Sequence, residues 1–216
     1  MKWTTILFDL DGTVTDPAEG IVNSILYSLE RMGIEEPDTR VLTDFIGPPL
    51  HESYMRRYGL DRDGAFRAVD LYREYFAPRG ILENRLYPGM AELLGGLARR
   101  GADLVLATSK PTVYARRILA HFHLDGLFAH IQGSELDVRR TRKREVVRAA
   151  LERVSPRGAV MVGDRIDDVR GARENGIPAI GVTWGYARPG ELAAAAPEHL
   201  VRSVPELARL VGSDAI

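Results

Sequence analysis

Two aspartates separated by one residue, Asp9 and Asp11, stand at the end of an apolar run, Thr5-Ile6-Leu7-Phe8, and are followed at once by Gly12 and Thr13. The run has the length and branching of a short buried strand, and Asp-x-Asp-Gly has the composition of a sharp turn that ends one. Side chains alternate along a strand, but a turn can bring both carboxylates round one point. Carboxylates held that close repel each other, so the pair costs stability unless a cation or a substrate lies between them. Metal-assisted chemistry is the reading this suggests. The plainer alternative is a solvated turn, where Asp is common.

Other polar groups are placed in the same way. Ala102 to Ala107 reads as a buried strand and is followed by Thr108 and Ser109. Ala159 to Val162 reads as another and ends in Gly163-Asp164, with Asp167 and Asp168 just beyond. From Tyr87 onward strands and helices alternate, with a weaker strand at Phe128 to Gln132, helices at Arg142 to Val154 and Ile166 to Asn175, and a strand at Ile177 to Val182. Alternation of this kind builds βαβ units and a parallel sheet. Ligands of such sheets bind outside the carboxyl ends of the strands. Strands from distant parts of the chain therefore deliver their polar residues to one edge, and this convergence argues for function more strongly than any single motif.

Residues 17 to 83 read differently. Asp16-Pro17-Ala18-Glu19 has the form of a capping box, and the helix it opens stops at Gly33. Pro37-Asp38 opens a short helix through Leu42 and Phe45, Gly47-Pro48-Pro49 breaks it, and Leu50 to Tyr58 is helical until Gly59. Asp61 can cap a longer helix whose face carries Phe66, Val69, Tyr72, Tyr75 and Phe76, before Pro78 and Gly80. A block without strands is too long for a simple crossover. The expected fold class is α/β: a Rossmann-like parallel sheet sandwiched by helices, formed by 1–16 and 84–216, with an inserted all-α cap domain at 17–83.

Composition sets outer bounds. A chain of 216 residues can form a core domain carrying a smaller insertion. A net charge of -1 gives no argument for nucleic acid or an anionic membrane. The absence of cysteine excludes disulfides, thiolate catalysis and zinc-thiolate sites. No stretch approaches the roughly 20 apolar residues of a membrane span, and Met1-Lys2-Trp3 leaves no room for a signal peptide. The expectation is a cytoplasmic protein, monomer or homodimer.

These residues resemble the haloacid dehalogenase superfamily of phosphohydrolases. Asp9-Leu10-Asp11-Gly12-Thr13 looks like its first motif, Thr108 like its second, Lys143 like its third, and Gly163-Asp164-Arg165-Ile166-Asp167-Asp168 like its fourth. Order and spacing agree over nearly the whole chain. The helical insertion is similar to the small α-helical cap of the superfamily. Phe45 to Leu50, Leu106 to Pro111 and Val162 to Asp168 look most like the phosphoglycolate phosphatase branch, some members of which act on nucleotides, pyrophosphate or phosphotyrosine.

The resemblance implies a Mg²⁺-dependent phosphatase of a small, phosphoglycolate-like phosphomonoester, its partner thus a small phosphorylated metabolite. Asp9 would attack phosphorus to form an aspartyl-phosphate, and Asp11 would act as general acid and then general base. Asp9, Asp164 and the main-chain carbonyl of Asp11 would hold Mg²⁺, with Asp168 orienting that shell. Thr108, the Ser109 amide and Lys143 would hold the phosphoryl oxygens. Lys110 is a rival to Lys143. Lys143 lies in a basic run from Arg139 to Arg144, but it stands four before Val147 and so on the buried side of its helix, whereas Arg140, Arg144 and Arg148 form an exposed stripe. Asp167 reads as a helix-start residue, and Arg165 stands where a small hydroxyl is frequent in the branch. His51, His121, His123, His130 and His199 have no ligand spacing. Substrate choice would fall to the cap, with Ile46, Gly47, Pro48, Tyr54 and Arg79 as candidates. A 5′-nucleotidase or pyrophosphatase with the same site is the alternative, followed by a sugar-phosphate mutase or a non-enzymatic phospho-acceptor.

Overall fold

The computed structural model describes residues 2–137 and 140–212. Arg139 of the basic run lies outside them. The chain divides into two compact units, one formed by Pro17–Arg85 and the other by the chain before Pro17 and from Leu86 onward.

The Pro17–Arg85 unit is helical. It contains α1 (Ala18–Met32), a 3-10 turn at Thr39–Phe45, α2 (Leu50–Tyr58) and α3 (Arg62–Tyr75). Gly33 and Gly59 close α1 and α2 at φ of 66° and 65°, a conformation that glycine adopts at no steric cost. The Asp61 carboxylate accepts from the Gly64 amide at 2.8 Å and starts α3. One expectation fails: α1 begins a residue later than the capping box requires. Pro17 occupies the cap position with no side-chain bond, because the Asp16 carboxylate is engaged elsewhere, by the Tyr186 hydroxyl.

The second unit opens with β1 (Thr5–Phe8) and continues through α4 (Met90–Arg99), β2 (Asp103–Pro111), α5 (Thr112–His121), β3 (His130–Ser134), α6 (Lys143–Leu151), β4 (Ala159–Gly163), α7 (Ile166–Glu174), β5 (Ala179–Val182), α8 (Glu191–Ala195), β6 (His199–Val201) and α9 (Val204–Val211). The strands form a parallel sheet in the order β3-β2-β1-β4-β5-β6. Every residue of β1 is buried, as a central strand covered on both faces must be. Leu7, Val105 and Met161 of adjacent strands pack with Val146 and Val147 of α6 and Val169 of α7. Each such side chain contributes on the order of 2 kcal/mol on burial.

The chain moves outward from β1 through β2 to β3, then returns to β4 on the other side of β1. That reversal is the topological switch point at which open α/β sheets bind ligands. One strand reads too short and one gives no reading at all. β2 continues past Ala107 to Pro111, because the Ser109 carbonyl still finds a buried donor, Ser134 Oγ at 2.8 Å. Its pairing with β3 shifts register between Ala107 and Pro111, a bulge of the kind that re-aims side chains beside sites. β6 carries no periodic signal, being three residues long and at the sheet edge.

Candidate active site

Phe8 pairs with Leu106 on one side and Val162 on the other. The next residue of β1 therefore leaves the sheet level with Ala107 and Gly163, and the Asp9 amide donates to the Val162 carbonyl at 2.9 Å. Asp9, Thr108 and Asp164 come to one edge by this register, and all three are buried.

Lys143, the first residue of α6, reaches the same point. Its Nζ lies 2.7 Å from Asp9 Oδ1, 2.8 Å from Asp168 Oδ1 and 3.1 Å from the Ala107 carbonyl. Three acceptors match the three donors of an ammonium group. Burial pulls the Lys143 pKa down, but the charges of Asp168 and Asp9 outweigh it and hold the pKa above its ordinary value. The neighbouring Arg140, Arg144 and Arg148 are exposed. Lys110 goes elsewhere. It pairs with Asp11 Oδ2, while Asp11 Oδ1 is buried with no hydrogen-bond partner. Burial raises the Asp11 pKa against the lowering effect of Lys110.

Asp168 has two duties. One oxygen meets Lys143; the other accepts from the Arg165 amide at 3.0 Å and so closes the start of α7. Asp164 is gripped by Thr13 Oγ1 at 2.9 Å and by the Tyr186 amide at 2.8 Å. Burial first, then the charges of Asp168 and Asp9, push its pKa up to about 8. Asp167 is exposed, and Arg165 pairs with Glu191 at 2.9 Å.

Asp9, Asp164 and Asp168 each present a carboxylate oxygen within 4.8 Å of the others. Among the described residues no histidine belongs to such a group. With Asp11, the site sets four carboxylates against two lysines. An all-oxygen, electron-rich donor set of this kind fits a hard divalent cation such as Mg²⁺ and does not fit zinc. The carboxylates and lysines expected at this edge are all present, with Asp11 drawn to Lys110 through its side chain.

Several residues that build the site carry no catalytic group. A Cβ at Gly12 or Gly185 would lie 2.3 Å from Asp164 Oδ2, and one at Gly163 would lie 2.2 Å from the Asp168 carboxyl carbon. Gly171 of α7 gives the Lys143 stem its passage, since a Cβ there would meet Cγ at 2.9 Å. Thr13 and the Thr183-Trp184-Gly185-Tyr186 segment complete the frame, with Trp184 donating to the Thr13 carbonyl at 3.2 Å. A Gly-aromatic pair directly after a buried strand was the only available sequence signal for the latter.

The substrate candidates all lie in the helical unit. Gly47 and Arg79 are exposed, Pro48 is half-buried and Ile46 is buried. Tyr54 is corrected to a core residue of that unit. Its ring is enclosed by Phe45 and Tyr58, and its hydroxyl shares a 2.5 Å hydrogen bond with Ser28 Oγ. Tyr75, read on the same helix face as Tyr72 and Phe76, is only half-buried, and its hydroxyl donates to Glu83.

A family model described as haloacid dehalogenase-like hydrolase matches residues 6–182. A 5′-nucleotidase of Pseudomonas aeruginosa is 46% identical over 99% of this chain and 97% of its own. The tyrosine-protein kinase PtkA of Mycobacterium tuberculosis is 42% identical over 85% of this chain, which spans 63% of that longer protein. The crystal structure of a predicted phosphatase from Clostridium acetobutylicum superposes with a TM-score of 0.92 at 44% identity, covering 97% of this chain and 98% of that one. The chain belongs to the haloacid dehalogenase-like hydrolase family and is a phosphatase of it.

Proposed function

We propose that the protein hydrolyses a small phosphomonoester through a phosphorylated Asp9, with a nucleoside 5′-monophosphate as the first candidate substrate and phosphoglycolate as the second. The observation that carries the mechanism is the separate pairing of the two adjacent aspartates, Asp9 with Lys143 and Asp11 with Lys110. The order of substrates follows the full-length relative named a 5′-nucleotidase.

In the first half-reaction an Asp9 oxygen bonds to phosphorus, the phosphorus–oxygen bond to the leaving group breaks, and Asp11 gives its proton to the departing oxygen. Burial favours the protonated form of Asp11 that this step needs. In the second, water attacks phosphorus, Asp11 takes its proton, and the acyl phosphate bond to Asp9 breaks to release phosphate. Thr108 and the Ser109 amide would hold the phosphoryl oxygens at the bulge of β2. Asp9, Asp164 and Asp168 would hold Mg²⁺, with the Asp11 main-chain carbonyl as a further ligand. Bound there, the ion neutralises charge on the phosphoryl group and orients it. The helical unit would act as the cap, with Gly47, Pro48 and Arg79 its contacts to substrate.

The test is a substrate panel of nucleoside monophosphates, phosphoglycolate, pyrophosphate, sugar phosphates and phosphotyrosine, run with and without Mg²⁺ on the wild type and Asp9→Asn. The highest kcat/KM is expected on a nucleoside monophosphate. Preference for phosphotyrosine, pyrophosphate or a sugar phosphate would overturn this order of substrates. Metal-dependent turnover surviving in Asp9→Asn would overturn the mechanism.

A further inference from the structure

Two lysines reach this site, and their surroundings divide the work between them. Every donor of Lys143 is accounted for by Asp9, Asp168 and the Ala107 carbonyl. That lysine is committed to the attacking carboxylate and its neighbour. Lys110, in the last residues of β2, meets a different carboxylate, at Asp11 Oδ2.

Lys110 is held from both sides of its backbone. Its amide donates to Thr108 Oγ1 at 3.2 Å. Its carbonyl lies so close to β3 that a Cβ at Gly133 would approach it to 2.4 Å, so only glycine fits opposite. The bulge at Ala107–Pro111 is thus fastened on either side of the residue that aims at Asp11. The ion pair is shielded, with the side chains 6% and 12% exposed. A buried pair so fixed has strong orientation, because either partner alone would be an uncompensated charge.

The consequence falls on the other oxygen. With Oδ2 fixed by Lys110, the Asp11 carboxyl cannot rotate freely, and Oδ1 is left buried and unpartnered. An orphaned carboxylate oxygen beside a second carboxylate is costly unless something is meant to meet it. We propose that Lys110 is the positioning residue for Asp11, pinning Oδ2 so that Oδ1 alone carries the proton to the leaving group and from the attacking water. Lys110 touches neither the phosphoryl group nor the nucleophile in this role. The inference rests on the reading of Asp11 as proton carrier given above.

That role predicts an uneven loss. Phenyl phosphate needs a proton on its departing oxygen; 2,4-dinitrophenyl phosphate leaves as a stable anion and needs none. Since kcat/KM reports events only as far as departure of the leaving group, Lys110→Met should lower it on the order of tenfold or more for phenyl phosphate and little for the dinitrophenyl ester. Dephosphorylation still needs a base, so kcat should fall for both esters and the phosphorylated enzyme should accumulate under steady turnover. Lys110→Arg should restore most of the lost activity. Should Lys110→Met not fold, Lys110→Gln, which can still offer one neutral donor to Oδ2, carries the same comparison with a smaller split. Equal losses of kcat/KM on the two esters, or no loss on either, would overturn the assignment. Asp11→Asn separates the two levels. If it splits the esters while the Lys110 variants do not, the positioning role fails and the proton-carrier reading stands. If Asp11→Asn does not split them, the reading itself fails.

Discussion

The two units bury charge and polarity in opposite ways. In the helical unit the interior polar groups are satisfied. Glu36, with its side chain 2% exposed, accepts from Arg57, from the Tyr58 hydroxyl and from the Asp38 amide. Ser24 donates to the Gly20 carbonyl, and Ser28 donates to Ile25 while sharing a hydrogen bond with Tyr54. At the carboxyl edge of the sheet, four buried or nearly buried carboxylates stand against two lysines, and Asp11 Oδ1 is left with no hydrogen-bond partner. Burial of like charges is expensive, and a fold that only needed stability would replace them. Satisfied polarity marks architecture and unsatisfied charge marks chemistry. If so, substitutions in the two places should affect different measurements.

The largest effect is expected at Asp9. Asp9→Asn removes the proposed nucleophile and relieves repulsion at the edge, so turnover should fall on the order of 10⁴-fold or more with no loss of thermal stability. A large loss of both would show the carboxylate to be structural. Lys143→Met should do the reverse to the fold. It leaves Asp9 and Asp168 buried without their cation, at a cost of about 3 kcal/mol or more in urea unfolding of the metal-free protein. Mg²⁺ should recover part of that loss, since it supplies the missing positive charge. No recovery at any Mg²⁺ concentration would count against the three carboxylates as a cation site.

Much of this edge was legible before the fold was known, and the reason is physical. Asp9, Thr108 and Asp164 each follow a short apolar run, and a parallel sheet brings such positions together whatever their distance in the chain. Lys143 was legible because its spacing from Val147 places it on the buried face of α6. Residues that act through space or through the main chain were not. Gly171 matters because of what it lacks, and Tyr186 holds Asp164 by an amide that any residue could supply. Tyr54 misled for the converse reason: an aromatic near a Gly-Pro turn suits a binding surface and a helical core equally well. Its burial depends on Phe45 and Ser28, which periodicity within α2 does not reveal.

A smaller effect concerns pH. The folded pKa of Asp164, about 8, lies above the ordinary value of 3.8 that it regains on unfolding. Its ionisation therefore opposes folding of the metal-free protein, and stability falls as pH rises from about 4 to about 8 and then levels off. A bound cation requires the ionised carboxylate and removes this penalty. The rise in Tm produced by Mg²⁺ should accordingly grow between pH 6 and pH 9. In Asp164→Asn, whose amide can still donate to Thr13 and accept from Tyr186, the shift should be small and independent of pH. An equal shift in the wild type at both ends of the range would separate the cation from Asp164.

The smallest effect tests the helical side of the comparison. Tyr54→Phe keeps the ring among Phe45 and Tyr58 and removes only the hydroxyl that meets Ser28. Ser28 retains the Ile25 carbonyl as an acceptor at 2.7 Å, so no buried donor is orphaned. The cost should be that of one neutral hydrogen bond, about 1 kcal/mol in urea unfolding, with kcat and KM unchanged on every substrate of the panel. A KM that rises for one substrate class while stability holds would return Tyr54 to the recognition surface. It would also break the rule drawn from the two units, because a fully satisfied hydroxyl would then be performing selection.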